Sequence, residues 1–364
     1  MKTAVMFINF GEPAEPTLDN VVPYLEGIFL QNVGLERSPE AETRRVRVRK
    51  MARARAPGLI EEYEAIGGSP LNAQADAQAD ALEAELRARG RDITCYSCFQ
   101  FTEPSVYAAV ERARADGVER LVGLPVYPLC GHSTNVAALQ SLRAAVEAEG
   151  GWSPELLEIG GWHRHPDFCA LHADNARAFA EAEGVDLHDP DTAFLFSIHG
   201  TPIKYLEEGS RYDRYVEEAC AAVAAGLGLA RYHMGYQNHS NRPVDWTQPD
   251  VERVVKGLEA RRVVVLPIAF MHEQSETLAE LDHELREEAE EAGLAFHRVP
   301  VPWDSPRFVE LLADLVEGRL GEEPAGTGVP WRRCLCRSGG HAWCTNGMRF
   351  GAAVVPANES TTRG

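Results

Sequence analysis

The stretch Phe194-Leu195-Phe196-Ser197-Ile198-His199-Gly200-Thr201-Pro202 decides how the chain is read. A short apolar run of β-forming residues stops at a histidine, after which Gly200 and Pro202 supply a turn and the start of a helix. The pattern is a strand delivering an imidazole to a loop, with a helical pattern from Ile203 to Ala225 behind it. In open α/β sheets ligands bind beyond the carboxyl ends of the strands, so a titratable group there is placed for chemistry. A histidine standing alone reads as structural, and only a partner elsewhere in the chain makes it a catalytic candidate.

Two echoes divide the chain into halves. Phe7-Ile8-Asn9-Phe10-Gly11-Glu12-Pro13 repeats the Phe, Gly and Pro of Phe196 to Pro202 at an offset of 189 residues. Leu121-Val122-Gly123-Leu124-Pro125-Val126-Tyr127 and Val263-Val264-Val265-Leu266-Pro267-Ile268-Ala269-Phe270 repeat at 142, so the first half holds 189 − 142 = 47 extra residues. Two related α/β halves follow, the first with an insertion between Leu35 and Gly68. That insertion carries Arg44, Arg45, Arg47, Arg49, Lys50, Arg53 and Arg55, which read either as a solvated helical face or as a basic lip for an acidic ligand. The turn Ile66-Gly67-Gly68-Ser69-Pro70 follows, where Ser69 can offer a hydroxyl and an N–H to a carboxylate.

Strand patterns run from Thr3 to Phe10, Ile93 to Phe99, Leu121 to Tyr127, Leu156 to Gly160, Ala193 to Ile198, Tyr232 to Gln237, Val263 to Phe270 and Ala295 to Val301. Helical patterns lie between them: 71–89, 105–115, 133–149, 166–183, 211–227, 249–257, 275–292 and 305–316. Strands alternating with helices mean a parallel sheet with helices on both faces in each half. No G-x-G-x-x-G or G-x-x-x-x-G-K-[ST] follows a strand, which weakens a nucleotide-binding reading.

The 364 residues are 45% apolar and carry a net charge of −19, which argues against a nucleic-acid partner. No apolar run reaches the length of a membrane span, and Met1 leads straight into a strand, so a cytoplasmic location is expected. Eight cysteines are too sparse for a disulfide scaffold, yet Cys334, Cys336 and Cys344 crowd into the last thirty-one residues.

The partner for His199 is sought after the strand ending at Phe270, in Met271-His272-Glu273-Gln274-Ser275-Glu276-Thr277-Leu278-Ala279-Glu280-Leu281-Asp282-His283-Glu284. Helical spacing strings Glu276, Glu280 and either His283 or Glu284 along one stripe that could move protons or a hard cation. From Glu280 onwards a solvated acidic face is the stronger expectation; Glu276, in the first turn near a strand end, is the candidate. H-E-x-x-H would need a histidine at 276, so a zinc-protease reading fails.

These segments resemble the ferrochelatase family. The resemblance rests on Phe196 to Pro202, on Arg55-Ala56-Pro57 to Tyr63-Glu64-Ala65-Ile66-Gly67-Gly68-Ser69-Pro70-Leu71, on Leu266 to Phe270 running to Glu276-Thr277-Leu278, and on Tyr236-Gln237-Asn238 to Trp246 and Pro249-Asp250. It covers roughly residues 3 to 318 in order. It implies two Rossmann-like chelatase lobes, each a parallel sheet with helices on both faces, facing each other across a cleft. The expected division is 1–160 for the first lobe, with the basic lip at about 36–68, 161–320 for the second, and a tail from 321 to 364. By the same resemblance the chain inserts Fe2+ into a porphyrin, protoporphyrin IX or coproporphyrin III, in haem biosynthesis. His199 takes protons and Glu276 orients it or hands over the metal. Phe10, Arg53, Arg55, Ser69 and Tyr127 meet the porphyrin. Metal insertion releases two pyrrole protons, so a base that titrates near neutrality suits the task, and a weakly holding N/O site releases its metal where thiolates would not.

Three departures stand out. Gln274 takes a place where the family often has histidine; Pro128-Leu129-Cys130-Gly131-His132-Ser133-Thr134 replaces a Ser/Thr-rich loop; and Phe10 stands where members acting on coproporphyrin carry tyrosine. The loop Gln237-Asn238-His239-Ser240-Asn241-Arg242-Pro243 is instead similar to the coproporphyrin type, so the porphyrin stays open. A cobalt or nickel chelatase and a non-catalytic porphyrin carrier are the rival readings. Peripheral membrane contact through the basic segment, and a monomer or homodimer, are the expected associations. Some ferrochelatases hold a [2Fe–2S] cluster with three tail cysteines and one internal one, an arrangement, though not a spacing, that Cys334, Cys336 and Cys344 resemble here, with Cys130 as the favoured fourth ligand and Cys95, Cys98 and Cys220 as the weaker choices; zinc is the alternative occupant, and a tail that binds no metal is the plain one.

Overall fold

Two four-stranded parallel sheets carry the fold. The computed structural model describes residues 1–32, 41–239, 244–321, 331–334 and 342–345. Contacts divide the chain into two units: Met1–Val126 with His132–Ile159 and His272–Ala279, and Tyr127–Gly131 with Gly160–Met271 and Glu280–Gly364.

The first unit contains β1 (Thr3–Asn9), α1 (Leu18–Gln31), α2 (Ala41–Ala65), α3 (Leu71–Ala88), β2 (Ile93–Phe99), α4 (Val106–Ala115), β3 (Arg120–Pro125), a π-helical turn (His132–Val136), α5 (Ala137–Ala148) and β4 (Glu155–Glu158). Its strands lie in the order β2-β1-β3-β4. All seven residues of β1 are buried, as a central parallel strand covered on both faces must be. Ala4, Met6 and Ile8, at the strand period of two, join Val106 and Val110 of α4 and Ala138 and Leu142 of α5 in one apolar cluster.

The second unit contains α6 (Pro166–Glu183), β5 (Thr192–His199), α7 (Ile203–Glu207), α8 (Tyr212–Leu227), β6 (His233–Gln237), α9 (Val251–Lys256), β7 (Arg262–Pro267), most of a π-helix (Glu276–Leu285), α10 (Arg286–Glu291), β8 (Ala295–Arg298) and α11 (Pro306–Leu320). A two-residue antiparallel pair, β9 (Arg332–Arg333) and β10 (Trp343–Cys344), belongs to the tail. The order β6-β5-β7-β8 repeats that of the first sheet. In each half a π-helical segment follows the third strand of the repeat, so the echo seen in sequence extends to an irregularity of the backbone.

The structure differs from the sequence reading at several elements, and the helix expected over 133–149 is π-helical until Val136 and α-helical only from Ala137. Helix α1 was not expected, because Pro23 and Gly27 interrupt its pattern; tertiary packing overrides propensity, with Val21, Tyr24, Leu25 and Phe29 buried against Val48, Ala52, Ala56, Leu59 and Tyr63 of α2. The helical pattern from Ile203 to Ala225 is broken into α7 and α8, where Gly209 takes a positive φ of 104°. The helix expected from Ser275 to Ala292 is π-helical until Leu285 and α-helical only from Arg286. Residues 33–40, which include the start of the insertion, and the linker from Glu322 to Gly328 lie outside the described residues.

His172 on α6 is 1% exposed, and burial holds its imidazole down at about 3, far below the ordinary value of 6.5. Above pH 6.5 both folded and unfolded chains keep it neutral; below that, the unfolded chain binds a proton that the folded one refuses, and stability falls as pH drops towards 3. His172→Leu is therefore expected to flatten the acid limb of a stability-versus-pH series between 6.5 and 3. An acid limb as steep as that of the wild type would show that other groups set it.

Candidate active site

His199 ends β5 half-buried, after six consecutive buried residues. Its Nδ1 lies 2.6 Å from the carbonyl oxygen of Gly200. A carbonyl only accepts, so Nδ1 carries the proton and donates it. Nε2 of His199 is then the lone-pair nitrogen, and it faces Nε2 of His239 at 3.2 Å, the two rings 64° apart. His239 donates in that pair and packs edge-on to Trp246, with ring centroids 5.4 Å apart.

Local backbone pairing fixes the imidazole. Gly200 N–H donates to Gln237 O at 2.7 Å, Thr201 N–H to the Thr247 hydroxyl at 3.0 Å, and Ile203 N–H to Asp245 O at 2.8 Å. Tyr212 of α8 donates its hydroxyl to the carbonyl of His199 itself at 3.0 Å. A Cβ on Gly200 would stand 2.9 Å from Gln237 O and overlap the Asn238 side chain, so only glycine allows this approach.

Gln237, opposite His199 in the parallel register, links strand and helix. It accepts from the buried Ser197 hydroxyl at 2.9 Å and donates its amide to Glu280 Oε2 at 2.9 Å. Glu280, expected on a solvated face, is half-buried and engaged, whereas His283 and Glu284 are exposed.

Glu276 opens the π-helix, half-buried, and accepts from the Gln274 amide at 2.7 Å. The segment before it is held within the first unit: Glu273 N–H donates to Gln74 Oε1 at 2.8 Å, and the Thr277 hydroxyl to Glu273 Oε2 at 2.6 Å. His272 is buried and its imidazole is pushed down to about 3, so it stays neutral at pH 7 and takes no proton there. Below the segment lies Glu12, 4% exposed, which accepts from Tyr63 OH at 2.8 Å, from the hydroxyls of Ser69 and Ser275, and from Ser275 N–H at 3.3 Å. Burial raises its carboxyl above the usual range, the hydrogen bonds offsetting only part of the rise.

Among the residues expected at a ligand, Ser69 thus meets a carboxylate of the chain itself. Phe10 packs at a tilt against Phe101, with ring centroids 4.5 Å apart, and edge-on against Tyr24 at 6.2 Å, in the apolar cluster of α1 and α2. Arg53 is exposed on α2, and Arg55 pairs with Glu62 at 2.8 Å. Tyr127 is half-buried just after β3. His239, Gln237 and Glu12 were not proposed as site residues from the sequence, and Glu280 was weighed there in the carboxylate stripe but expected on a solvated face. His239 could have been, since it follows the end of the strand that neighbours β5.

In the tail, Cys334 N–H donates to Ala342 O at 2.8 Å, Gly160 N–H to Trp343 O at 2.7 Å, and Thr345 N–H to Gly161 O at 3.2 Å. Trp162 and His163 N–H groups both donate to Pro128 O, two residues from Cys130. Cys336 and residues 240–243 lie outside the described residues.

Gly200→Ala is expected to lose the Gly200–Gln237 hydrogen bond and destabilise the second unit by about 1–3 kcal/mol, as overpacking does. Thermal unfolding measures it; an unchanged midpoint would mean that the loop relaxes around a methyl group.

A family model of ferrochelatase matches residues 2–320. A ferrochelatase from Synechococcus sp. (strain RCC307) is 34% identical over 328 residues, 88% of this chain and 83% of the relative. One from Geobacter metallireducens is 30% identical over 322 residues, 86% of this chain and 98% of the relative. A solved structure of SirB from Bacillus subtilis with Fe3+ superposes with a TM-score of 0.54 at 9% identity, covering 88% of this chain and 96% of the other, which shows a shared fold. With the family matched over nearly the whole chain, the histidine at the end of β5 and the carboxylate opening the π-helix stand in a member of the ferrochelatase family, lyases that insert iron into a porphyrin.

Proposed function

We propose that His199 is the base that accepts porphyrin protons as Fe2+ enters, with His239 as its relay and Glu276 at the metal. The observation that carries this reading is the fixed tautomer of His199: the Gly200 carbonyl holds the proton on Nδ1 and leaves Nε2 as a lone pair. Imidazole titrates between pH 5 and 8, so it can take a pyrrole proton and release it again in each turnover. A proton that His239 takes at Nδ1 pushes its Nε2 proton onto Nε2 of His199, so the charge passes from one ring to the other.

Glu276 supplies a hard oxygen ligand, held by the Gln274 amide, that binds Fe2+ without the grip of a thiolate. Covalent continuity supports its pairing with His199: one π-helix carries Glu276 and, one turn on, Glu280, whose carboxylate holds Gln237, the register neighbour of His199. Exposed Arg53 suits a porphyrin propionate, and the aromatic group around Phe10 favours the apolar ring of protoporphyrin IX over the more acidic coproporphyrin III. Exposed Leu18, Leu30 and Val46 on α1 and α2, among exposed arginines of α2, support peripheral membrane contact. Among the described residues no helix is long and apolar enough to cross a membrane.

His199→Ala is expected to abolish iron insertion while porphyrin still binds, Glu276→Gln to cut kcat severely, and His239→Phe to lower kcat and shift the pH–rate profile. Anaerobic assays with both porphyrins measure all three. Near-normal turnover in His199→Ala would end the assignment.

The tail fits a metal cluster by its donor chemistry. Cys344 is 3% exposed, its hairpin is hydrogen-bonded onto Gly160 and Gly161, and a Cβ on Gly160 would stand 3.0 Å from Cys344 Cβ. The Cys130 loop is tied to the adjoining Trp162 and His163. Cys130, Cys334, Cys336 and Cys344 would hold a [2Fe–2S] cluster, which supplies a one-electron centre and a cross-link when bound. Protein purified without oxygen is expected to be reddish-brown, with a reduced-state electron paramagnetic signal that Cys344→Ser removes. A colourless preparation, with zinc or with no metal, would rule the cluster out and leave the iron-insertion reading intact.

A further inference from the structure

We propose that Glu12 is a positioning residue for Glu276, an assignment that rests on Glu276 working at the metal as set out above. Glu12 sits in the turn that ends β1, its backbone clamped by Asn72: Glu12 N–H donates to Asn72 Oδ1 at 2.9 Å, and Asn72 Nδ2 to Glu12 O at 2.8 Å. Its carboxylate gathers Tyr63 of α2, Ser69 of the turn before α3, and Ser275. Ser275 is gripped twice, by hydroxyl and by backbone N–H. It is the residue immediately before Glu276. At a helix start such an N–H has no partner within the helix, so the bond to Glu12 both satisfies it and fixes the backbone from which the Glu276 side chain departs. A metal-binding carboxylate must be held to about 0.5 Å, and one buried acceptor tying three segments of the first unit to Ser275 does that.

The two oxygens of Glu12 have unlike neighbours, and this makes the proposal testable. Oε1 meets two hydroxyls, of Tyr63 and Ser275, which can turn and accept; Oε2 meets the Ser69 hydroxyl and the Ser275 N–H, which cannot. A glutamine can therefore put its NH2 at the first position and its oxygen at the second, keeping the grip on Ser275.

Full-length Glu12→Ala, Glu12→Gln, Ser275→Ala and Glu276→Gln proteins are compared in the anaerobic iron-insertion assay, with porphyrin binding followed by fluorescence quenching. Glu12→Ala is expected to lower kcat by on the order of tenfold to a hundredfold, the loss typical of a displaced catalytic group, with KM for porphyrin unchanged. Glu12→Gln should restore most of that loss, and Ser275→Ala should lower kcat to a smaller extent. Should Glu12→Ala fail to fold, Ser275→Ala, a small change at a half-buried position, decides. A loss in Glu276→Gln beside wild-type kcat in Glu12→Ala and Ser275→Ala would overturn the positioning role, as would a Glu12→Gln protein as slow as Glu12→Ala. Wild-type turnover in Glu276→Gln would instead overturn the catalytic reading beneath it.

Discussion

A parallel strand covered on both faces can keep a polar side chain in contact with water only where the strand ends. β1 is buried along all its residues, and β5 along six before His199. The chemistry is therefore pushed to the carboxyl ends, and the exceptions show the rule's force. Ser197, buried inside β5, is tolerated because its hydroxyl donates to Gln237, which in turn holds Glu280. A polar group inside the sheet thus becomes an anchor for the helix that brings the carboxylates.

Two glutamates, Glu218 half-buried and Glu12 buried, show how surroundings rather than residue type set the charge. Glu218 is held down at about 2: burial alone would push it up, but the His163 imidazole at 3.0 Å and the two-pronged Arg164 guanidinium outweigh that penalty. Glu12 has four donors and no cation among them, and burial wins. Glu218 is an ion-pair anchor for the Trp162-to-His165 stretch, whereas Glu12 fastens neutral hydroxyls and a backbone N–H, which is what a joint among several segments requires.

The strands, the parallel class and the place of His199 at a strand end were legible because each is a one-dimensional signal: a continuous apolar run, its abrupt end, and the turn residues after it. What stayed hidden depends on neighbours in space. The imidazole of His199 is oriented by the Gly200 carbonyl, which any residue would provide, and faced by His239, forty residues on across a strand pair. Glu280 looks like one more member of an acidic helix until Gln237 is brought beside it. Glu12 sits in a turn whose glycine and proline dominate the reading. Helix α1 is concealed by its own proline and glycine, and the π-helical start of the Glu276 helix has no compositional mark, although it decides which residues follow Glu276 along the helix.

The duplicated scaffold puts unlike residues at equivalent positions of its two halves. At the offset of 189 residues Phe10 stands where the second half has His199, and at 142 Thr134 stands where it has Glu276. The sheets share one strand order, and both carry a π-helical segment after the third strand, so the positions are equivalent in fold as well as in spacing. In the first half the strand end is apolar, with Phe10 set among Tyr24 and Phe101. In the second it is a basic nitrogen with a fixed tautomer. An imidazole set into the Phe10 cluster would be driven to its neutral form by burial, as those of His172 and His272 are, whereas His199 is only half-buried at the end of its strand. Equivalent positions of one repeated scaffold thus differ in burial and polarity, and it is burial that decides whether a side chain there can carry charge.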